Sequence, residues 1–374
     1  MRTVRDSVWS MAIGGVLGLA ILSHAAPPAG SFEPKLSRDD TDVSPDGRVT
    51  FHGPFFNEGV TATCDALPAH DFVRVECELL ILRTWDGSVP FPISQTTGDG
   101  PDEFRLSVPG GPVLLSTTFS NLPDRPRGFH EHGKKQNYPS PVPGDLLPAW
   151  TGSAEQNTMG YHYPKPGPPQ LVPMDATYRL VLLLPHQGAS LTLKLEAMGL
   201  KSLLDESWGV KSLTVTPLVA DAVTRPDDAA IASAFATALD ATTTTQPDAV
   251  NTLVIGTDRT VAWIKANVQP SPVDAAAVAG AIAELSGDDT RIAERDGAEE
   301  KLPGFGIAAE PYLRDARLAA RGEARVRIEQ VLSRLSTAPI TDDATRRVAL
   351  ATRVLEVIAT PEAAELRRAL VGSK

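Results

Sequence analysis

Beyond its first thirty residues this 374-residue chain lacks an apolar run long enough to cross a bilayer, which takes about twenty residues as a helix. The apolar run that is present, Met11 to Leu22, is shorter. It follows Arg2 and Arg5 and leads to a cut site around Ser23-His24-Ala25. That order describes a secretory signal peptide, and a retained N-terminal anchor is the alternative. Residues 1–25 are expected to direct export and then be removed. The mature chain would carry no transmembrane span and would be secreted or held in the periplasm or cell envelope.

Cysteine is scarce, with only Cys64 and Cys77. Export permits a disulfide, but two separate core thiols satisfy the same count, and geometry decides between them. Both fall at inward positions of expected strands. A tight hairpin near Leu67 to His70 would leave the sulfurs well off opposite each other. Neither has the electropositive surroundings of a reactive thiolate. Clustered positive charge is also missing. Lys and Arg number 35 against 46 Asp and Glu, and the net charge of -11 is spread over both halves. A duplex-binding surface needs concentrated cations to displace counterions, so nucleic acid is excluded as a partner. The diffuse acidity reads as solubility rather than as a binding tail.

What is present divides into two periods. From Ser31 to about Val219, apolar and polar residues alternate in short stretches punctuated by Gly and Pro. Val73, Val75, Cys77, Leu79 and Ile81 describe a half-buried strand, as do Phe104, Leu106 and Val108. Val181 to Leu184 and then Leu191, Leu193 and Leu195 supply two more, with Pro185 to Gly188 turning between them. Such spacing predicts an antiparallel β-sandwich over residues 31–219. Asn121 to Pro173 breaks the regularity, being rich in Pro, Gly, His and Tyr. A segment that long without periodicity is usually functional or disordered, and it is the expected ligand-facing edge.

After Val219 alanine becomes abundant and aromatic residues thin out. Val278, Ile282 and Leu285 recur at helical spacing, as do Ile328, Val331, Leu332 and Leu335, and then Val348, Leu355 and Ile358. These predict amphipathic helices over residues 220–374, with Pro311 and Pro361 in first turns and Ala241 to Pro247 as a loop. Short helices joined by short turns suggest stacked hairpins. The arginines from Arg314 to Arg327 interleave with Asp315 and Glu323, the pattern of a solvated face or of a protein-binding groove.

Particular strings carry more than period. LPAHDFVRVECELLILRTWDG (67–87), GPDEFRLSVPGGPVLLSTTFSN (100–121) and DESWGVKSLTV (205–215) resemble successive strands of an exported bacterial β-sandwich module of the concanavalin-like or carbohydrate-binding jelly-roll type. The strings at 248–270, 277–316 and 352–370 resemble a HEAT-like helical repeat. The resemblance implies a multidomain protein, a jelly-roll-like sandwich followed by an all-α HEAT-like array, and brings no catalytic residue with it. In similar modules the WG pair precedes a hydrophobic residue and then Asp-Asn. Here Val210 is followed by Lys211 and Ser212, a cation in place of a potential ligand.

Three chemistries compete for the polar residues. Asp205 and Glu206 are neighbours, so on an extended chain they point to opposite faces. They cannot by themselves be the facing pair of a glycosidase. Calcium is a better use for the acids. Asp86, Asp99, Asp102 and Asp205, the last with its neighbour Glu206, stand next to turn residues at strand ends, where several loops can supply hard oxygen ligands. The simpler assignment is that they cap turns through nearby backbone N–H groups. His130, Glu131, His132 and His162 raise transition-metal binding, which needs three or four converging ligands. Tyr138, Trp150, Tyr161 and Tyr163 fall in the irregular stretch. They form either an exposed platform for stacking a sugar ring or the private core of a long loop. Trp85 and Trp208 lie at strand ends and are expected to be structural. The expectation is an exported, non-enzymatic binding protein. Its sandwich recognises a glycan or cell-surface component and its helices contact a protein partner. A structural or assembly protein of the envelope is the alternative, and a cryptic hydrolase the third.

Overall fold

The computed structural model describes residues 30–88, 101–123, 134–162, 173–270, 274–287, 291–338 and 340–372, and the expected signal peptide lies outside them. Antiparallel sheets build the N-terminal part. Among the described residues the larger sheet runs β10 (Glu155–Gln156), β11 (Asp175–Pro185), β5 (Phe72–Arg83), β13 (Glu206–Leu218), β3 (Thr50–Phe55) and β2 (Thr41–Val43) in spatial order. The facing sheet runs β1 (Lys35–Leu36), β4 (Gly59–Cys64), β12 (Leu191–Met198), β6 (Glu103–Ser107) and β7 (Val113–Thr118). A ribbon of β8 (Lys135–Gln136) and β9 (Leu147–Pro148) lies within the irregular segment.

The period-two pattern explains the core. Val73, Val75, Cys77, Leu79 and Ile81 of β5 meet Val60, Phe104, Leu106, Leu193 and Leu195 of the facing sheet in one cluster. Fully burying a side chain of this size contributes about 1.5–3 kcal/mol. The outer face of β5 is covered as well, because Leu80 and Leu82 pack with Phe51, Met159 and Tyr161. On β13 the alternation survives a register shift between Val210 and Ser212. The extra residue of this bulge lets Trp208 and Val210, then Leu213 and Val215, all face the same core. Lys211 is left outside, where its Nζ pairs with Glu78 at 3.1 Å.

Consecutive strands β4 and β5 lie in opposite sheets rather than in a hairpin. Cys64 and Cys77 are therefore separate free thiols in the core. Burial is the main cause that pushes Cys64 up to about 11 and Cys77 up to about 12, so neither is a ready nucleophile.

The C-terminal part is helical: α1 (Asp228–Leu239), α2 (Gln246–Ile255), α3 (Asp258–Asn267), α4 (Ala275–Ser286), α5 (Ile292–Lys301), α6 (Glu310–Ala319), α7 (Gly322–Thr337), α8 (Asp343–Ile358) and α9 (Pro361–Val371). Caps fall where side chains can reach orphan N–H groups. Asp227, Asp342 and Thr360 accept from Ala230, Thr345 and Ala363, and Pro361 sits in the first turn of α9. Gln246 and Pro247, expected in a loop, instead open α2. The helices do not follow one another as a linear stack. Helices α8 and α9 return to pack on α1, α2 and α3, while α4 to α7 form a second group around Val278, Leu285, Leu313 and Val331.

The helices dock directly on the sandwich. Strand β10 covers only the start of β11, and an open strand edge exposes unpaired backbone groups. Asn251 of α2 fills that role farther along. Its Nδ2 donates to Val181 O at 2.8 Å, and Leu183 N donates to its Oδ1 at 3.0 Å. Val254 of α2 and Val357 of α8 join the sandwich core, and Arg346 of α8 holds Asp145 through both carboxylate oxygens.

Candidate functional site

One corner of the sandwich gathers acidic side chains from three places. The residues just after β5 supply Asp86, the approach to β6 supplies Asp102, and the start of β13 supplies Glu206. Each offers a carboxylate oxygen, and these oxygens lie within 4.8 Å of one another. Exposure is 5% for Asp86, 0% for Asp102 and 1% for Glu206, so the cluster is sealed from solvent.

Backbone packing sets this arrangement. Trp85 is fully buried and its Nε1 donates to Ser207 O at 2.8 Å, tying the end of β5 to β13. Asp102 N donates to Gly87 O at 3.1 Å, and Asp86 N donates in turn to Asp102 Oδ2. Gly199, at φ +89°, brings the turn after β12 against the Asp102 segment, where a Cβ would stand 2.1 Å from Pro101 O. Only glycine accommodates both that backbone angle and that approach. Lys201 on the same turn donates from N to Glu206 Oε2 at 2.6 Å and from Nζ to Asp86 Oδ2 at 3.2 Å.

The electrostatics follow from the count of charges. Burial first, then the nearby Glu206 and Asp86, raise Asp102 well above the ordinary carboxylate range. Burial and the Asp86 charge likewise push Glu206 up to about 8, against the lowering effect of the Lys201 N–H. Among the described residues Asp102 Oδ1 is buried without a hydrogen-bond partner, an arrangement that costs free energy unless something else satisfies it.

The expected metal residues divide. Asp86 and Asp102 come together, but Asp205 turns to Thr84, whose Oγ1 donates to Asp205 Oδ1 at 2.5 Å. Asp99 lies outside the described residues, as do His130, Glu131 and His132, and His162 is not part of the cluster. The third member is Glu206, which the sequence sets beside Asp205 among the acids at strand ends, although Asp205 was the expected ligand of the pair. The signal for it was the opposite orientation of neighbouring side chains, since Asp205 facing Thr84 leaves Glu206 facing inward.

Of the two readings of the aromatic residues, an exposed platform does not hold for Tyr138 and Tyr161, which are buried. Tyr138 and Tyr161 are each only 6% exposed. Tyr138 packs on Phe119 and Tyr178 with ring centroids 5.1 and 5.3 Å away, and Tyr161 lies under the Arg83 guanidinium. Trp150 is half-buried and its Nε1 donates to Asn121 Oδ1 at 3.0 Å. Tyr163 lies outside the described residues. The hub is Gln136, which is fully buried. Its Oε1 accepts from Ser120 N, Trp150 N and Tyr178 OH, and its Nε2 donates to Tyr138 O and Thr151 O. A loop fastened this way turns its rings into the core.

A second buried polar group occupies the junction with the helices. Glu103 Oε1 accepts from Arg105 Nη2 at 2.9 Å and from Ser116 Oγ. Glu310 of α6 pairs with Arg314 at 2.6 Å and with Arg353 of α8 at 3.3 Å. Burial pulls Glu310 upward, but Arg353 and Arg314 outweigh it and hold the carboxyl at about 2. Glu103 is likewise held below its ordinary value, because Arg105, Ser116 and Arg314 overcome its burial. Beside this group an apolar cavity of about 70 Å³ opens between Leu115, Leu180, Pro247, Val250 and Val357.

No family model matches the chain, and no curated protein sequence matches it. Two solved structures show distant similarity. The crystal structure of the STIV MCP aligns at 12% identity over 45% of this chain and 46% of that one, with a TM-score of 0.18. The CBM51-2 and INT domains of ZmpB from Clostridium perfringens align at 11% identity over 74% of this chain and 43% of that one, also with a TM-score of 0.18. The chain thus spans less than half the length of either. Superpositions this loose carry no argument about fold or function.

Proposed function

We propose that the protein is an exported, non-enzymatic scaffold of the cell envelope. In this reading sandwich and helices act as one docked unit, and the helices present a surface to a protein partner. The observation that carries the reading is the junction, where Asn251 completes the edge of β11 and Arg346 grips Asp145. Such keying joins the two parts as a domain core would, whereas mobile domains meet through smaller and more polar contacts. The helical layer would serve as HEAT-like arrays do, by offering paired helices to a partner. Export rests on the Arg2, Arg5 and Met11 to Leu22 pattern at the N-terminus.

Glycan recognition by the sandwich has the resemblance of its strand sequences for support, but the buried rings of Tyr138 and Tyr161 weaken it. Hydrolysis is weaker still, since a polymer substrate needs an open cleft and the corner carboxylates are covered. Crosslinking of the full-length protein in its cells tests the proposal. A discrete protein partner is expected, and its crosslink should vanish when Ile292 and Val326, the exposed apolar residues of α5 and α7, are both replaced by Glu. Glycan-array binding, or glycosidase turnover that disappears in Glu206→Gln, would overturn it.

A further inference from the structure

We propose that the corner built from Asp86, Asp102 and Glu206 is a Ca²⁺ site that fastens the end of β5, the approach to β6 and the start of β13. The inference is independent of the scaffold reading.

The first support is the orphaned oxygen. Asp102 Oδ1 sits in a fully buried side chain and has no hydrogen-bond partner among the described residues, while Oδ2 of the same group is held by Asp86 N. Buried polar atoms are almost always satisfied, so an unpartnered oxygen on a member of this carboxylate cluster points to a ligand that takes oxygen donors. The second support is charge. One ammonium, that of Lys201, faces the three carboxylates. With all three ionised, the formal excess among the described residues is that of a dianion, and a divalent cation would neutralise it. Lys201 is 30% exposed along its side chain, so its head can swing to solvent if the ion displaces it.

The third support is the choice of donors. All are carboxylate oxygens, which favour hard cations over zinc or copper. Their mutual distances, within 4.8 Å, suit an ion that binds oxygen at about 2.3–2.6 Å in irregular geometry. Mg²⁺, at about 2.0–2.1 Å, demands a tighter octahedron. Peptide carbonyls of the adjoining turns and water would complete the shell.

The test uses the full-length protein stripped with a chelator. Titration with CaCl2 should give a saturable heat at one site. The melting temperature should rise by about 5 °C once free Ca²⁺ exceeds its Kd a hundredfold, with a smaller rise in MgCl2 at the same concentration. Trp85 precedes Asp86 and Trp208 follows Glu206 by two residues. Indole excitation should therefore sensitise Tb³⁺ emission, which Ca²⁺ then quenches by displacement. Asp102→Asn should abolish both responses, and Asp205→Asn should keep both. A wild-type protein with no Ca²⁺ heat and no thermal shift would overturn the proposal, as would an Asp102→Asn protein that responds like wild type. If Asp102→Asn does not fold, the wild-type Tb³⁺ signal decides, and its absence counts against the site.

Discussion

Asp102 and Glu103 are neighbours in the chain and both are buried, yet their surroundings drive their carboxyl groups in opposite directions. Asp102 turns to the sandwich corner, where Asp86 and Glu206 are the nearest charges and Lys201 supplies the cation. Glu103 turns to the helical junction, where Arg105 and Arg314 surround it. Desolvation disfavours the charged form at both positions. What differs is the number of cations within reach. The comparison teaches that burial alone does not decide whether an acid is a liability. An equally buried acid keeps its charge where partners neutralise it, and its charged form is disfavoured where they do not.

The junction is the side of the comparison that should fail hardest when disturbed. Glu310→Leu leaves Arg314 and Arg353 buried without their shared carboxylate, and removing one partner of such a pair costs about 3–5 kcal/mol. Urea unfolding followed by circular dichroism measures this, and a loss below about 1 kcal/mol would mean that the junction behaves like an exposed surface. Asn251 separates charge from keying at the same junction. Asn251→Ala removes two hydrogen bonds to the β11 edge and should cost about 2 kcal/mol, with faster proteolysis between sandwich and helices.

Paired amide substitutions compare the two neighbours directly. Glu103→Gln should destabilise by about 1–2 kcal/mol, because it weakens a charge-assisted bond to Arg105. Asp102→Asn in chelator should stabilise by about 1 kcal/mol, because burial first and the neighbouring carboxylates second disfavour the acid at this position, while the amide keeps an acceptor for Asp86 N. Equal signs in denaturation curves would break the comparison.

The junction also has a signature in acid. Glu310 is depressed from 4.5 to about 2, so its stabilisation is complete above the unfolded value and fades as pH falls through the folded one. The urea midpoint of wild type should drop between about pH 5 and about pH 2. The Glu310→Leu protein should show less of this drop over the same range.

Much of this organisation was legible beforehand, and the limits have particular causes. The alternation of β5 named its inward residues, since period two is a property of the extended chain. It did not reveal that Leu80 and Leu82 are covered on the other face, because that cover comes from residues far along the chain. The same extended geometry forced Asp205 and Glu206 apart. Which of the two would join Asp86 and Asp102 depended on the way β13 meets β5, and the structure chose Glu206. The aromatic residues of the irregular segment were recognised as a group. Tyr138 and Trp150 are fastened by Gln136, whose five partners span positions 120 to 178.

Local chemistry in the chain determined the strands, the helices, the caps and the change of period near Val219. Each of these depends on residues within a few positions of one another, where backbone geometry and side-chain spacing act directly. Tertiary structure alone decided that Cys64 and Cys77 sit in opposite sheets, that α8 and α9 return to α1, α2 and α3, and that Asp102 and Glu103 face different charges. An amphipathic stripe or a buried acid states that something must cover it. The partner that does so comes from a distant segment, and only the folded chain brings the two together.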